Sequence, residues 1–176
     1  MNKAYVLISS ESGSEDSIIT NLNRIDSIKE AHGTFGAYDI LIKLHSDNLQ
    51  KIEQDISKKI RKIPKIRSTL TLLVNETGGI SKINEVEKEV LEKHMAQAFV
   101  IIHCRSSDEI AVLNKLKEIP EVVEADILIG SFEILCTIVA PTYNEISDVV
   151  SNKFRKIKNI KSTITLNVVE NQGFRK

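Results

Sequence analysis

Long apolar runs are missing from this chain of 176 residues; none approaches the roughly 20 residues that a bilayer-spanning helix needs. The first residues, MNKAYVLISSESGSED, hold too short an apolar stretch for a secretory leader. Charge of one sign is missing too: 24 basic and 24 acidic side chains cancel, so no global positive field draws in nucleic acid or anionic lipid. Aromatic residues make up only 5%. Cysteine is nearly absent, and Cys104 and Cys136 form neither a CxxC nor a disulfide ladder, which fits a reducing cytoplasm. What is present is ordinary globular material, 41% hydrophobic and 27% charged, which excludes a disordered or collagen-like chain. Such a length holds one ordinary domain or two small ones.

An internal repeat decides between these. AYVLI at 4–8 returns as AFVII at 98–102, GAYDIL at 36–41 as GSFEIL at 130–135, and KKIRKIPKIRSTLTLLV at 58–74 as NKFRKIKNIKSTITLNV at 152–168. Every pair is offset by 94 residues with no gap, and residues 4–74 match 98–168 at 24 of 71 positions. Two copies of one domain are expected, at 1–77 and 98–170.

Each copy reads β-α-β-β-α-β. In the first, strands are expected near 4–10, 28–35, 39–45 and 66–74, rich in Ile, Val, Leu and Thr. Ile18, Leu22 and Ile25 form one helical stripe; Ile52, Ile56, Ile60 and Ile63 form another. In the second, strands fall near 98–104, 122–129, 132–139 and 160–168, with stripes at Val112, Leu116, Ile119 and at Ile146, Val149, Val150, Ile157. Gly36 and Gly130 sit where a tight hairpin needs positive φ. The order predicts an α+β fold of two ferredoxin-like βαββαβ domains in tandem. Apolar residues occupy both faces of the first strands: Ala4, Val6 and Ile8 against Tyr5 and Leu7, and Ala98, Val100 and Ile102 against Phe99 and Ile101. One face meets helices. The other needs a second cover, so sheets packed as in a dimeric α+β barrel are expected.

Residues 78–97 are expected to be a helical linker. Thr77-Gly78-Gly79 reads as a turn, and Ser81 can cap a helix to about His94 with Ile83, Val86 and Val90 on one side. Residues 171–176 are expected to be a loose tail.

AYVLI, then GAYDILIKL, then KIRKIPKIRSTLTLLV together resemble the effector-binding module of the Lrp/AsnC family, also called the RAM (regulation of amino-acid metabolism) domain. The resemblance spans 4–74 and, more weakly, 98–168; Gly-x-Tyr-Asp with Ser-Thr-x-Thr carries it. Members of the usual kind have a helix-turn-helix domain before this module, which is expected to be lacking because the first strand starts at residue 4. The resemblance implies an amino-acid-sensing transcription-regulation module that binds its effector at interfaces between modules and signals by assembly. An alternative is a ligand-free scaffold, or a corepressor-like partner that joins full-length Lrp/AsnC regulators. A homo-oligomer is expected in either case.

An amino acid needs an acceptor for its ammonium, donors for its carboxylate and a pocket for its side chain. Asp39 can supply the acceptor. Backbone N–H groups around Gly36 and the hydroxyls of Ser68, Thr69 and Thr71 can donate, and Tyr38 can wall the pocket. The matching set is Gly130, Phe132, Glu133, Ser162, Thr163 and Thr165. Each has a purely structural alternative: hairpin glycines, a carboxylate capping backbone amides, β-branched strand residues, interface rings.

Other chemistry has no motif. His32, His45, His94 and His103 lack short mutual spacing and neither cysteine lies in a zinc pattern, so no metal is expected. No GxSxG, Walker A or GxGxxG occurs, so neither catalysis nor a cofactor is expected. RNA-recognition modules share this element order, but YDILIKL and FEILCTIV are aliphatic where stacking rings belong. Basic residues gather at Lys58, Lys59, Arg61, Lys62, Lys65 and Arg67, and at Lys153, Arg155, Lys156, Lys158 and Lys161, where cations complement a helix C-terminus. Neither sequence-specific DNA binding nor membrane association is expected.

Overall fold

The computed structural model describes residues 1–82 and 95–176. Two compact units divide it: Met1–Val74 with Val169–Lys176, and Asn75–Val168. The stripe of Ile83, Val86 and Val90, and His94 with it, lies outside the described residues. No described helix is long and apolar enough to cross a membrane.

In the first unit β1 (Asn2–Ser10), α1 (Glu15–Leu22), β2 (Ile28–Phe35), β3 (Ile40–Ser46), α2 (Leu49–Lys58) and the start of β4 (Ile66–Ser81) follow in order. β1 lies antiparallel between β3 and β4, and β3 pairs antiparallel with β2. The C-terminal end of β8 (Ile160–Arg175) runs on the far side of β2. In the second unit β5 (Ala96–Cys104), α3 (Glu109–Lys117), β6 (Val122–Ile129), β7 (Ile134–Ala140), α4 (Tyr143–Asp148) and the start of β8 repeat the plan. β5 pairs with β7 and β8, β6 with β7, and the end of β4 lies beside β6.

Alternation along the strands builds each core. Ala4, Val6 and Ile8 of β1 and Ile40, Ile42 and Leu44 of β3 bury against Ile18 and Leu22 of α1 and Ile52 and Ile56 of α2. Ala98, Val100, Ile102, Ile134, Cys136 and Ile138 do the same against Val112, Leu116, Ile146 and Val150. Each buried Val, Leu or Ile among them contributes roughly 1.5–3 kcal/mol relative to exposure. On the opposite sheet faces Tyr5, Leu7, Leu41, Ile101 and Leu135 are fully buried as well. Both faces are therefore dry, as the doubly apolar pattern requires.

Helix starts follow local chemistry. The Asn48 side chain accepts the Gln50 N–H at 2.9 Å ahead of α2, and Thr142 with Glu145 forms a capping box ahead of α4. Two expectations are corrected. Thr77-Gly78-Gly79 is no turn, because β4 continues through it to Ser81. Residues 171–175 are no loose tail, because β8 runs to Arg175 and Lys176 donates its N–H to the Lys29 carbonyl at 2.9 Å. The last strands reach 66–81 and 160–175, well past the expected ends at 74 and 168. Gly173 shows why a glycine stands inside a strand. With φ +150 and a Cβ position only 2.2 Å from the Ala31 carbonyl oxygen, no larger residue fits without a shift.

Candidate functional site at the hairpins

Gly36 and Gly130 both take positive φ, 139° and 132°, and turn β2 into β3 and β6 into β7. The Thr34 N–H donates to the Asp39 carbonyl at 2.8 Å and the Thr34 hydroxyl to the Tyr38 carbonyl at 2.8 Å. In the second unit the Leu128 N–H donates to the Glu133 carbonyl at 2.8 Å. The neighbouring strand end is irregular in the same place each time. β1 slips its register against β4 between Ser9 and Ser10, and β5 slips against β8 between His103 and Cys104. A slip of this kind leaves an amide without its ladder partner.

Asp39 and Glu133 supply that partner. Asp39 Oδ2 accepts the Ser10 N–H at 2.8 Å. Glu133 Oε2 accepts the Cys104 N–H at 3.0 Å and lies 2.9 Å from His103 Nδ1. The extra methylene of glutamate suits this second contact. Each carboxylate is thus oriented by the backbone it satisfies, and the other oxygen makes no hydrogen bond among the described residues.

The remaining expected residues do not converge. Thr69 and Thr71 stand opposite Ile8 and Val6, on the helix-facing side of the sheet, whereas Ser68 stands opposite Ser9 and faces the other way. Thr69 Oγ1 accepts from Arg61 Nε at 3.2 Å. The Thr71 hydroxyl is buried with no hydrogen-bond partner. Ser162 pairs with His103 across the ladder, and Thr163 and Thr165 pair with Ile102 and Val100. Tyr38 and Phe132 are half-buried beside their carboxylates. The hairpin therefore unites Gly36, Tyr38 and Asp39, and likewise Gly130, Phe132 and Glu133, but leaves the strand hydroxyls apart.

The sequence reading missed a charged cluster in the first unit. Glu30 lies 3.1 Å from His32 Nε2, 3.6 Å from Lys43 Nζ and 3.3 Å from Arg175 Nε. Burial raises the Glu30 carboxyl, but the His32 hydrogen bond and the Lys43 and Arg175 charges outweigh it and hold the group well below the usual carboxylate range. Lys43 inside the apolar run ILIKL was the available signal, since a lysine there needs a buried partner. The second copy carries Glu124, Asp126 and Thr137 at the matching positions, all buried.

Cys104 and Cys136 are free and buried, and Val100, not Cys104, faces Cys136 across the ladder. Burial and then the Glu133 charge push the Cys104 thiol up to about 11, and burial lifts Cys136 further, so both stay protonated at neutral pH. Among the described residues no three His, Cys, Asp or Glu side chains gather as metal ligands.

Comparison with known proteins now adds to this geometry. No curated protein matches the chain. Among solved structures, a hypothetical protein from Pyrococcus horikoshii is 33% identical, covering 43% of this chain and 90% of its own, with a TM-score of 0.41. AsnC from E. coli is 24% identical over 72% of this chain and 73% of its own, with a TM-score of 0.45. The siroheme decarboxylase NirDL is 11% identical, covering 99% of this chain and 72% of its own at a TM-score of 0.73, a likeness of fold alone. The model of the Lrp/AsnC ligand binding domain matches twice, at residues 3–78 and 97–172, in phase with the repeat and with both hairpins. The chain belongs to the Lrp/AsnC ligand-binding-domain family and carries that domain in tandem.

Proposed function

We propose that this protein is an amino-acid-sensing regulator that works by binding and assembly and not by catalysis. The observation that carries the reading is the hairpin tip. Phe35 is 70% exposed and Ile129 is 57% exposed, at positions 94 residues apart, each beside its turn glycine and four residues before an oriented carboxylate. An exposed side chain of this size at a turn offers apolar area that contact with another chain would bury. The free Asp39 oxygen next to it suits a ligand ammonium, and the amides around Gly36 suit a carboxylate. Contact with a second copy would complete the pocket that the strand hydroxyls do not form. The effector site and the assembly contact then coincide, so occupancy and oligomerisation are linked.

One observation favours the ligand-free scaffold, whether alone or joined to full-length Lrp/AsnC regulators. Asp39 and Glu133 already serve the Ser10 and Cys104 amides, as purely structural caps would. A thermal-shift screen of the twenty amino acids, followed by sedimentation with and without each hit, separates the two readings. Sensing requires a hit that both raises Tm and changes the oligomer. Assembly that is lost in Phe35→Ser yet indifferent to every amino acid supports the scaffold. A chain that binds none and stays monomeric at all concentrations defeats both.

A further inference from the structure

The second unit holds a cavity of about 630 Å³ between α3 and the segment that follows α4, away from the hairpin. Ile119, Pro120 and Ile157 form an apolar floor over the buried Val112, and Lys115, Glu118, Lys153, Lys156 and Lys158 stand round the mouth. The volume falls in the range of small-molecule pockets, roughly 300–1,000 Å³.

The charges at the mouth are not balanced. Lys153 is held by both oxygens of Glu121 at 2.7 and 2.9 Å, and Lys115 shares Glu118 at 3.7 Å. Lys156 and Lys158 make no ion pair among the described residues, which leaves two uncompensated cations over an oily floor. The backbone under them is wound unusually. Val149–Phe154 is a π-helical turn in which the Arg155 N–H reaches back five residues to Val150. At the end of the corresponding helix in the first unit the Lys59 N–H reaches back only four residues, to Asp55, and a 3₁₀ turn over Ile60–Lys62 follows. The two segments have the same number of residues, so no insertion causes the difference. Wide turns of this type are rare and often sit beside binding sites.

We propose that this cavity binds a small amphipathic anion, a carboxylate or phosphate head carrying a medium-length hydrocarbon body. The head would meet Lys156 and Lys158 while the body covers Ile119, Pro120 and Ile157. A nucleic-acid backbone or an acidic peptide would use the lysines and leave the floor unfilled, so neither suits the cavity as well. The site is separate from the hairpin reading and does not rest on it.

Octanoate and octyl phosphate serve as probes, with octanol as the uncharged control, each titrated into the full chain while the methyl signals of Val112, Ile119 and Ile157 are followed by NMR. Expected is one saturable site per chain for at least one anion, with octanol weaker by about tenfold or more, the equivalent of one charge-assisted hydrogen bond. The preferred anion tells whether the natural head is a carboxylate or a phosphate. The double substitution Lys156→Glu with Lys158→Glu should weaken the anion by about tenfold or more. Ala111→Trp, an exposed cavity-lining position on α3, should plug the site. Retention of Tm in both variants keeps the result separate from unfolding. No saturable binding of either anion overturns the proposal, as does equal binding of octanol, or binding that survives both variants.

Discussion

The two copies share a ladder register down to the slipped residue, yet they handle charge and helix winding differently. In the first unit Asp55 is buried on α2, where its carboxylate accepts from Ser27 Oγ at 2.7 Å and meets Lys59 at 2.7 Å and Lys51 at 3.3 Å. In the second, Val149 replaces that aspartate and Glu121 replaces the serine, so the carboxylate has moved from the helix to the turn just before β6 and takes Lys153 as its partner. Ile60 gives way to Phe154, fully buried, and the helix end widens from an α and 3₁₀ combination to a π turn. The sheet tolerates this because its register is set by apolar alternation, which both copies keep. An ion pair needs only that opposite charges stay within reach, whichever element supplies them. Framework and charge layout are therefore separable. The hairpin carboxylate, by contrast, has kept its backbone task in both copies.

Core substitutions should give the largest divergence. Phe154→Ala should cost about 3–5 kcal/mol and Ile60→Ala about 2–5 kcal/mol by urea unfolding. Hydrogen exchange should place the loss in the second unit for the first variant and in the first unit for the other. Loss spread evenly over both units in either variant would mean that they do not unfold as separate bodies.

The carboxylates come next. Asparagine at position 39 keeps an oxygen for the Ser10 amide but removes the charge, so Asp39→Asn should leave the fold intact. It should weaken an amino-acid effector by roughly ten- to a hundredfold, the size of a charge-assisted hydrogen bond. Glu133→Gln should do much less, because Phe132 stands where the first copy has the Tyr38 hydroxyl. Calorimetry on both variants reads the contrast, and the reverse ranking would move the effector site to the second copy.

A smaller effect is expected in the closing strands. Gly173→Ala should cost about 1–3 kcal/mol through backbone strain and its clash with the Ala31 carbonyl. Its counterpart Gly79 leaves a Cβ 3.1 Å from the Ala125 carbonyl oxygen and has no positive φ, so Gly79→Ala should cost less. Exchange protection over 169–175 should fall only in the first variant.

Acid response should separate the copies least. Burial opposes ionisation of Asp55, but the hydrogen bonds from Lys59, Ser27 and Lys51 win and lower its pKa. A lowered carboxyl pKa contributes stability that is complete above the unfolded value and lost as pH falls through the folded one. Asp55→Asn should therefore reduce stability at neutral pH and flatten the decline towards about pH 3. Glu121, also lowered by Lys153 against its burial, should show the same sign with a smaller amplitude in Glu121→Gln, since its carboxylate is more exposed to solvent than that of Asp55. Urea midpoints across this range measure both.

The repeat, the element order and both cores were legible because period-2 and period-3.6 patterns are written in Ile, Val and Leu. The hairpin carboxylate was legible through GAYD, although its bond to the Ser10 amide depends on a register slip that no local pattern marks. Strand ends were misread for a definite reason. Thr77-Gly78-Gly79 and Asn171-Gln172-Gly173 carry turn residues, but Gly173 is there because another backbone passes too close for a side chain. Arg175 was hidden in the same stretch, so the partner of Glu30 could not be seen. The π turn was illegible because its residue count equals that of an ordinary helix end.

The placement of Val169–Arg175 in the first unit bears on how this gene can be cut. A fragment that stops at Val74 keeps its own copy up to the middle of β4 but loses the segment that borders β2. Bare amides and carbonyls along β2 would then invite a strand from any neighbour, the route by which open edges seed swapped dimers and aggregates. Two copies fused in one message remove that hazard at the ribosome, because the borrowed segment arrives covalently attached to the chain that needs it.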